Sequence, residues 1–469
     1  MVIFMQIVKI KKILDILTVL LIAIYTSVCF VIMKWGGVDG ILTVEQIIWH
    51  IKTPVSGIEQ YYSVFLYLLG LILLLTIAYL SVSRLFFGFI ERKEFRVKRI
   101  CIILHSLFVL AIYGNAILYI ENHFAIRDFI EGSFQNNGME KEDFIADNYF
   151  VPENVSHEYR HNLVVIMVGS LEQNYKDCAT IHNLNEMQIN NKNLYTPNLQ
   201  RLNLTGWTIS AMVGWHFGLP LKLPKGLSHN SYEVDNFLPN AKSIFDILAD
   251  SGYKNVLLLG SDSNFSGMRG LFKTHGSFDI KDKSFYDRYY SPNEYSSVSG
   301  WGYNDEFIFQ RAKEELFNLK SSNRPYVLFV QTIDTHGRPS SPADEQTYSN
   351  SDRIIKDFFD FVKENADNTS IAIVGDHTSW DKLDYTDNPH RIYNLFIPVD
   401  STLKINNKYY SALDVAPTLL EMTGASWENR KFGMGVSMFG SEESLITSLG
   451  VEELNRCLSK KSMFYDKLF

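Results

Sequence analysis

Apolar positions are spread unevenly along the chain. Three nearly unbroken runs lie at the front, at 13–33, 61–82 and 100–120. Each is about 20 residues long, the length an α-helix needs to cross a hydrocarbon core of ~30 Å. Core helices of soluble proteins are usually shorter and polar on one face. Single polar residues such as Asp15 and His105 are tolerated in or beside such runs. The pattern predicts three transmembrane helices. A cleaved signal peptide competes for the first run, because "KIKK" supplies a basic start. The run is too long for one, and "CFVIMKWGG" offers a poor small-residue cleavage site. A retained anchor is expected.

After residue 120 the pattern changes. Positions 121–161 mix polar and aromatic residues, with "EGSFQNNGMEKED" the most linker-like piece, and read as a connector. From 162 onward, short apolar runs alternate with amphipathic stretches. "NLVVIMVG", "KNVLLLG", "PYVLFVQ" and "SIAIVG" predict strands. "NAKSIFDILADSGY", "NDEFIFQRAKEELFNLK", "DRIIKDFFDFVKENA" and "SALDVAPTLLEMTG" predict helices, with Asn304 or Asp305 as a cap. Alternation of this kind implies an α/β fold with a largely parallel sheet and helices on both faces. The expected organisation is a membrane domain at 1–120, a connector at 121–161 and an outer domain at 162–469. No internal repeat or low-complexity tract interrupts it.

Charge sets the orientation. Lys9, Lys11 and Lys12 precede the first run, and Arg84, Arg92, Lys93, Arg96, Lys98 and Arg99 lie around the turn between the second and third. The loop 34–60 carries only Lys34 and Lys52. Basic residues concentrate on the cytoplasmic side. The amino terminus and second loop are therefore expected inside, and everything after Ile120 outside, as in a multi-pass protein of a bacterial cytoplasmic membrane. The net charge of −8 argues against a nucleic-acid partner. Among the cysteines, Cys29 and Cys101 sit in the apolar runs, and Cys178 and Cys457 in the outer part, either paired or free. No CxxC spacing suggests a structural zinc site.

The candidate chemistry gathers where strands end. "NLVVIMV" runs into Gly169 and "SLEQNY", "LLLG" into "SDSNFSGMR", "LFVQ" into "TIDTHG", and "IAIVG" into Asp376 and His377. In open α/β sheets the ligand crevice lies at the carboxyl ends of the strands. An adjacent Asp-His pair there can hold a metal, orient a base or simply begin a loop. The segment "LTGWTISAMVGWHFGLP" adds a threonine, Thr208. Its hydroxyl is a poor nucleophile without a base or metal, and the bland alternative is a helix cap.

Taken together, these motifs resemble the sulfatase-like branch of the alkaline phosphatase superfamily. Added to them are "TPNL", "FKTHGSFD", "WGYNDEFIFQRA" and the order and spacing of the whole set from about Asn162 to Gly424. The resemblance is strongest to membrane-bound phosphoglycerol transferases that decorate periplasmic glucans, with lipoteichoic acid synthases more distant. It implies that Thr208 is the nucleophile that attacks phosphorus. It implies that Thr208, Asp376 and His377 hold a divalent ion, Mn2+ or Mg2+, and that His336 lies near the substrate phosphate. Asp262 and Arg269 fall where lipoteichoic acid synthases bind the glycerol phosphate head group, although Gly267 replaces the tryptophan between them. The implied donor is phosphatidylglycerol and the implied acceptor a cell-envelope glycan or glycolipid, with two displacements and a threonine-linked intermediate.

A sulfatase would need C/S-x-P-x-R, which does not occur here. Phosphoethanolamine transfer shares the threonine and metal logic and is the nearest rival, though "GWTISAM" leans away from it. A non-catalytic relative that binds lipid head groups or glycans is the rival from another class. Its basis is Gly169: the resembling transferases carry an acid there that completes the metal site. Glu172 lies one helical turn later, at a separate position of the motif. The charge pattern yields a direct expectation for topology. A reporter fused after Phe469 will be active only outside the cytoplasmic membrane, and one inserted within Glu91 to Lys98 will report the cytoplasm. Protease access to the outer domain from the cytoplasmic side alone would reverse the assignment.

Overall fold

The run Asn162–Val168 is buried at every position after Asn162, and in the computed structural model of the protein it is an interior strand of a six-stranded sheet. The structure describes residues 15–27, 62–90, 95–123, 143–173, 180–222, 237–291, 294–297, 300–336, 341–378 and 391–469. They fall into two units, one containing the amino-terminal helices and the other the residues from 143 onward.

In the first unit, helices α1 (Asp15–Ser27), α2 (Tyr62–Ile90) and α3 (Phe95–His123) occupy the three apolar stretches. Residues 28–33 of the first expected span lie outside the described residues. Among the described residues, Leu66–Phe89 is the stretch long and apolar enough to cross a membrane, with a mean hydropathy of 2.2, and α1 is shorter. The expected count of three crossings thus rests on the sequence. Asp15 is not left alone among apolar neighbours: its Oδ1 accepts hydrogen bonds from Tyr79 (3.1 Å) and Ser83 (2.7 Å) on α2. A buried polar group without such partners would be costly.

The second unit is built on the sheet. Its strands are β1 (Asn162–Val168), β2 (Lys254–Leu259), β3 (Asp279–Lys281), β4 (Tyr326–Gln331), β5 (Thr369–Gly375) and β6 (Asn394–Ile397), in the order β3-β2-β4-β1-β5-β6. All neighbours pair in parallel except β5 with the edge strand β6, which is antiparallel. Strands covered on both faces need apolar residues at nearly every position, and β1, β4 and β5 have them.

Helices α4 (His182–Asn190), α5 (Thr208–Phe217), α6 (Ile244–Asp250), α7 (Asp305–Ser321), α8 (Pro342–Asn365) and α9 (Val415–Met422) accompany the sheet. Val164, Ile166, Leu328 and Val330 pack in one core with Leu316 and Leu319 of α7 and Ile355, Phe358 and Val362 of α8. Phe329 points the other way, its ring 6.2 Å from Trp215 of α5 and 6.3 Å from Phe245 of α6. Local chemistry sets the helix starts. Asn304 caps α7 by accepting from Phe307 N (2.9 Å), Ser341 caps α8 ahead of Pro342, and Ser243 and Asp246 cap α6 reciprocally. The described part of the connector joins this unit: Ser156–His157 pairs with Ala425–Ser426, and Phe150 bridges Gly433. Cys457 is free and buried, and Cys178 lies outside the described residues.

Gly375, the last residue of β5, lies so close to the carbonyl of Leu171 that a β-carbon would collide with it, and Ile392 stands 3.1 Å away on another side. Close approach of strand end and neighbouring loop requires glycine here. Gly375→Ala is expected to destabilise the outer unit by about 1–3 kcal/mol, read as a lower thermal unfolding midpoint. An unchanged midpoint would show that the loop at Leu171 yields without cost.

Candidate functional site

The carboxyl ends of β1 and β5 and the amino end of α5 meet at one carboxylate. Asp376, directly after β5 and 1% exposed, accepts at Oδ1 from Ser170 N (2.8 Å) and His377 N (2.7 Å). Its Oδ2 accepts from the Thr208 hydroxyl at 2.8 Å. Residues 168 positions apart are thereby in direct contact. The bland reading of Thr208 fails on geometry. The cap of α5 is Trp207, whose N–H donates to Ser210 Oγ (3.0 Å) and whose carbonyl accepts from it (2.7 Å). Thr208 is the first residue inside the helix, half-buried, with its hydroxyl turned toward Asp376.

His377 is buried and its Nε2 stands 3.4 Å from Asp376 Oδ2. Its Nδ1 lies 2.7 Å from the carbonyl of Thr378. A carbonyl only accepts, so that contact places a proton on Nδ1, and in the neutral ring it is Nε2, on the Asp376 side, that carries the lone pair. This tautomer is the one a metal ligand needs. The groups that meet here are an imidazole nitrogen, a carboxylate and a hydroxyl. Among the described residues no three carboxylate, imidazole or thiol side chains gather to hold an ion by themselves.

Ser170 reaches Asp376 only because the turn after β1 takes an unusual conformation, with a φ of 52° at this non-glycine residue. Beside it, Gly169 N donates to Thr332 Oγ1 (2.9 Å), which is 2.9 Å from Thr335 Oγ1. A β-carbon at Gly169 would meet the carbonyl and hydroxyl oxygens of Thr335 at 3.5 Å, an ordinary contact. The position of the missing acid thus has room for a side chain, and two threonine hydroxyls stand next to it.

Glu172 does not fill that role. It is fully buried and faces Arg201, whose charge it supports. Burial lowers the Arg201 guanidinium to about 10 against that attraction. The same guanidinium lies against Gly206, where a β-carbon would collide with it. The Arg201 guanidinium thus packs on the backbone two residues before Thr208.

His336 keeps an exposed edge, yet its surroundings are crowded. Desolvation and then the neighbouring His377 ring hold its pKa below the ordinary value, against the pull of Asp376. The ring sits 4.9 Å from that of Trp301, which lies 5.1 Å from Phe265. This chain of rings links His336 to the loop that carries Asp262 and Arg269. Within that loop both residues are engaged. Asp262 Oδ1 accepts from Asn264 N (2.8 Å), and Arg269 Nη2 donates to Asp282 Oδ2 (2.7 Å) and Ser284 Oγ (3.3 Å). Asp282 also accepts from Ser263 Oγ at 2.6 Å. The structure thus joins Thr208, Asp376 and His377 directly, sets His336 within their electrostatic reach, and uses Arg269 to brace the loop after β2. Ser170, Glu172, Thr332 and Thr335 lie within the quoted motifs, but the partners of the Ser170 amide, of the Thr332–Thr335 pair and of Glu172 are set by the fold and carry no signal along the chain.

The family model described as Sulfatase matches residues 161–425, more than half of the chain. Phosphoglycerol transferase I of Xanthomonas campestris pv. campestris (strain B100) is 28% identical over 324 residues, which cover 64% of this chain and 45% of that protein. Phosphoglycerol transferase I of Escherichia coli O127:H6 is 27% identical over 349 residues, covering 66% of this chain and 43% of that protein. The matched region therefore spans less than half the length of these curated relatives. The crystal structure of the lipoteichoic acid synthase LtaP from Listeria monocytogenes superposes with a TM-score of 0.50 at 14% identity, over 67% of this chain and 95% of that one. That likeness shows the α/β fold expected from the alternating strands and helices. By the extent of the family match and the architecture that accompanies it, this chain belongs to the sulfatase family.

Proposed function

We propose that the chain transfers a phosphoglycerol head group from phosphatidylglycerol to a cell-envelope glycan or glycolipid, with Thr208 as nucleophile. The observation that carries this reading is the Thr208–Asp376 hydrogen bond of 2.8 Å, set at the strand ends and the start of α5. The names of the curated relatives support the head group and, with it, chemistry at phosphorus.

In the first displacement, Thr208 Oγ1 bonds to phosphorus as the bond from phosphorus to the diacylglycerol oxygen breaks. The departing oxygen gains the proton that Thr208 gives up. An acceptor hydroxyl then displaces Thr208 in the same way, which restores the threonine. Asp376 Oδ2 takes the hydrogen bond of the hydroxyl and so turns an oxygen lone pair outward. Ser170 N and His377 N hold the other carboxylate oxygen, so Asp376 cannot rotate away. The largely neutral ring of His336 is suited to hydrogen-bond a phosphoryl oxygen.

Thr208, Asp376 and His377 are the residues that would hold a divalent ion, with Mn2+ or Mg2+ suited to oxygen-rich sets that keep water. Such an ion supplies charge stabilisation at phosphoryl oxygens and makes the threonine hydroxyl more acidic. Asp262 and Arg269 are assigned to the head-group side, where the ring chain from His336 leads. The expected location is the outer face of a bacterial cytoplasmic membrane. Phosphoethanolamine transfer remains the alternative chemistry.

Thr208→Ala should lower transfer of labelled glycerol phosphate to the envelope fraction by about 10³-fold or more, with the fold kept, because the loss is one hydroxyl and its hydrogen bond, worth about 1 kcal/mol. Thr208→Ser should keep measurable activity. Near wild-type turnover in the alanine variant would remove the covalent route.

Gly169→Glu should fold normally, since the β-carbon meets only ordinary contacts. It should tighten manganese binding by about 10-fold or more in calorimetric titration, in line with the effect of restoring a ligand or its support. Wild type inactive at millimolar manganese, with turnover regained in the glutamate variant, would identify the chain as a degenerate, non-catalytic relative.

A further inference from the structure

The segment "WGYND", Trp301–Asp305, is prominent in the sequence but has no part in the chemistry above. It docks on the end of β2. Tyr303 N donates to the carbonyl of Gly260 at 3.1 Å, and a β-carbon at Gly302 would collide with that same carbonyl. Its last residue, Asp305, is 1% exposed at the start of α7. Asp305 is not needed as a cap, because Asn304 fills that role.

The Asp305 carboxylate is spent on the turn that follows β4. Oδ1 accepts from Ile333 N (2.7 Å) and Asp334 N (3.3 Å), while Oδ2 accepts from Ser351 Oγ of α8 (2.7 Å). In return, Asp305 N donates to Asp334 Oδ2 at 2.8 Å. The turn is tied at its other points as well, by Thr332 N to Met167 O (3.0 Å) and by Tyr348 Oη to Thr335 O (3.0 Å). His336 follows directly, against the ring of Trp301 from the same docked segment. An apolar side chain in place of Asp305 would take away the acceptor of the Ile333 amide at 2.7 Å and of the Asp334 amide at 3.3 Å, a loss that buried turns rarely tolerate.

We propose that Asp305 is a positioning residue of the candidate active site: its carboxylate fixes the Ile333–Asp334 turn, and through it sets His336 beside Asp376 and His377. Its consequence for rate rests on the transferase reading, but the placement of His336 does not. Burial and then the neighbouring Asp334 push the Asp305 pKa up, and what the turn takes from the carboxylate is its hydrogen-bond geometry. Asparagine can reproduce that geometry, with its oxygen toward the two amides and its NH2 toward Ser351.

The test uses the full-length protein in detergent. Asp305→Ala should speed hydrogen exchange of the Ile333 and Asp334 amides by about 10-fold or more. It should also change the Trp301 emission, isolated by subtracting the matching Trp301→Phe protein, as much as His336→Ala does. Asp305→Asn should keep both signals near wild type. In the transfer assay, the Asp305→Ala and His336→Ala losses should not add in the double variant. Unchanged exchange and emission in Asp305→Ala, failure of Asp305→Asn to preserve them, or additive losses would each overturn the proposal. If Asp305→Ala does not fold, Ser351→Ala takes its place: about 3-fold faster exchange at the two amides is expected, and no change overturns the proposal. Exchange and emission are read even where wild type transfers nothing, so failure of the transferase reading is separable from failure of this one.

Discussion

The site depends on how one buried carboxylate is satisfied. Asp376 sits at the end of a fully buried strand, where an ionised group without partners would be expensive. It is held instead by two backbone amides and a hydroxyl, from the turn after β1, from its own chain and from the first residue of α5. Each bond ties a different element to the same point. The left-handed Ser170 and the side-chain-free Gly375 are accepted because they let those elements approach closely enough for the bonds to form.

Around that point the unit divides its labour by polarity. The sheet interior supplies apolar burial on both faces. The turns at the carboxyl ends, with Thr208 of α5, Asp305 of α7 and Tyr348 and Ser351 of α8, carry the polar contacts around the site. The Thr332–His336 turn is tied to β1 through Met167 and Gly169, to α7 through Asp305 and to α8 through Tyr348. Such a turn holds its shape before any ligand arrives, which is what preorganised catalysis requires. The same logic explains why Arg269 is bound to Asp282 and Arg201 to the field of Glu172: long cations near the site are restrained by their own carboxylates.

Gly169 is the departure from this pattern. The turn there offers a backbone amide and two neighbouring hydroxyls where the resembling transferases offer an acid. One negative charge fewer makes the site less repulsive to an anionic phospholipid and a weaker trap for a divalent ion. Whether the loss is a tuning or a loss of function is decided by affinity, since a β-carbon at the position meets only ordinary contacts.

Much of this protein is legible in its residues. Runs of buried β-branched and aliphatic side chains announce β1, β4 and β5, since strands covered on both faces have no polar alternative. Asn304 marks the start of α7, and Gly252 in "DILADSGY" lies just past the end of α6, because caps and breakers act within a few residues. The stretch read as a helix from Asp352 misses the Ser341 cap and the first ten residues of α8. The order of the motifs points to Thr208, Asp376, His377 and His336. What the sequence could not reveal depends on contacts between distant segments. The short strands β3 and β6 and the helix α4 have too few residues for a clear period. That the Thr208 hydroxyl meets a carboxylate 168 residues away depends on the fold and on nothing local. Glu172 looks like a spare ligand in one dimension and faces Arg201 in three. Local propensity and burial act along the chain and can be read there. The orientation of a polar side chain is settled by which partner the tertiary structure brings within hydrogen-bond reach.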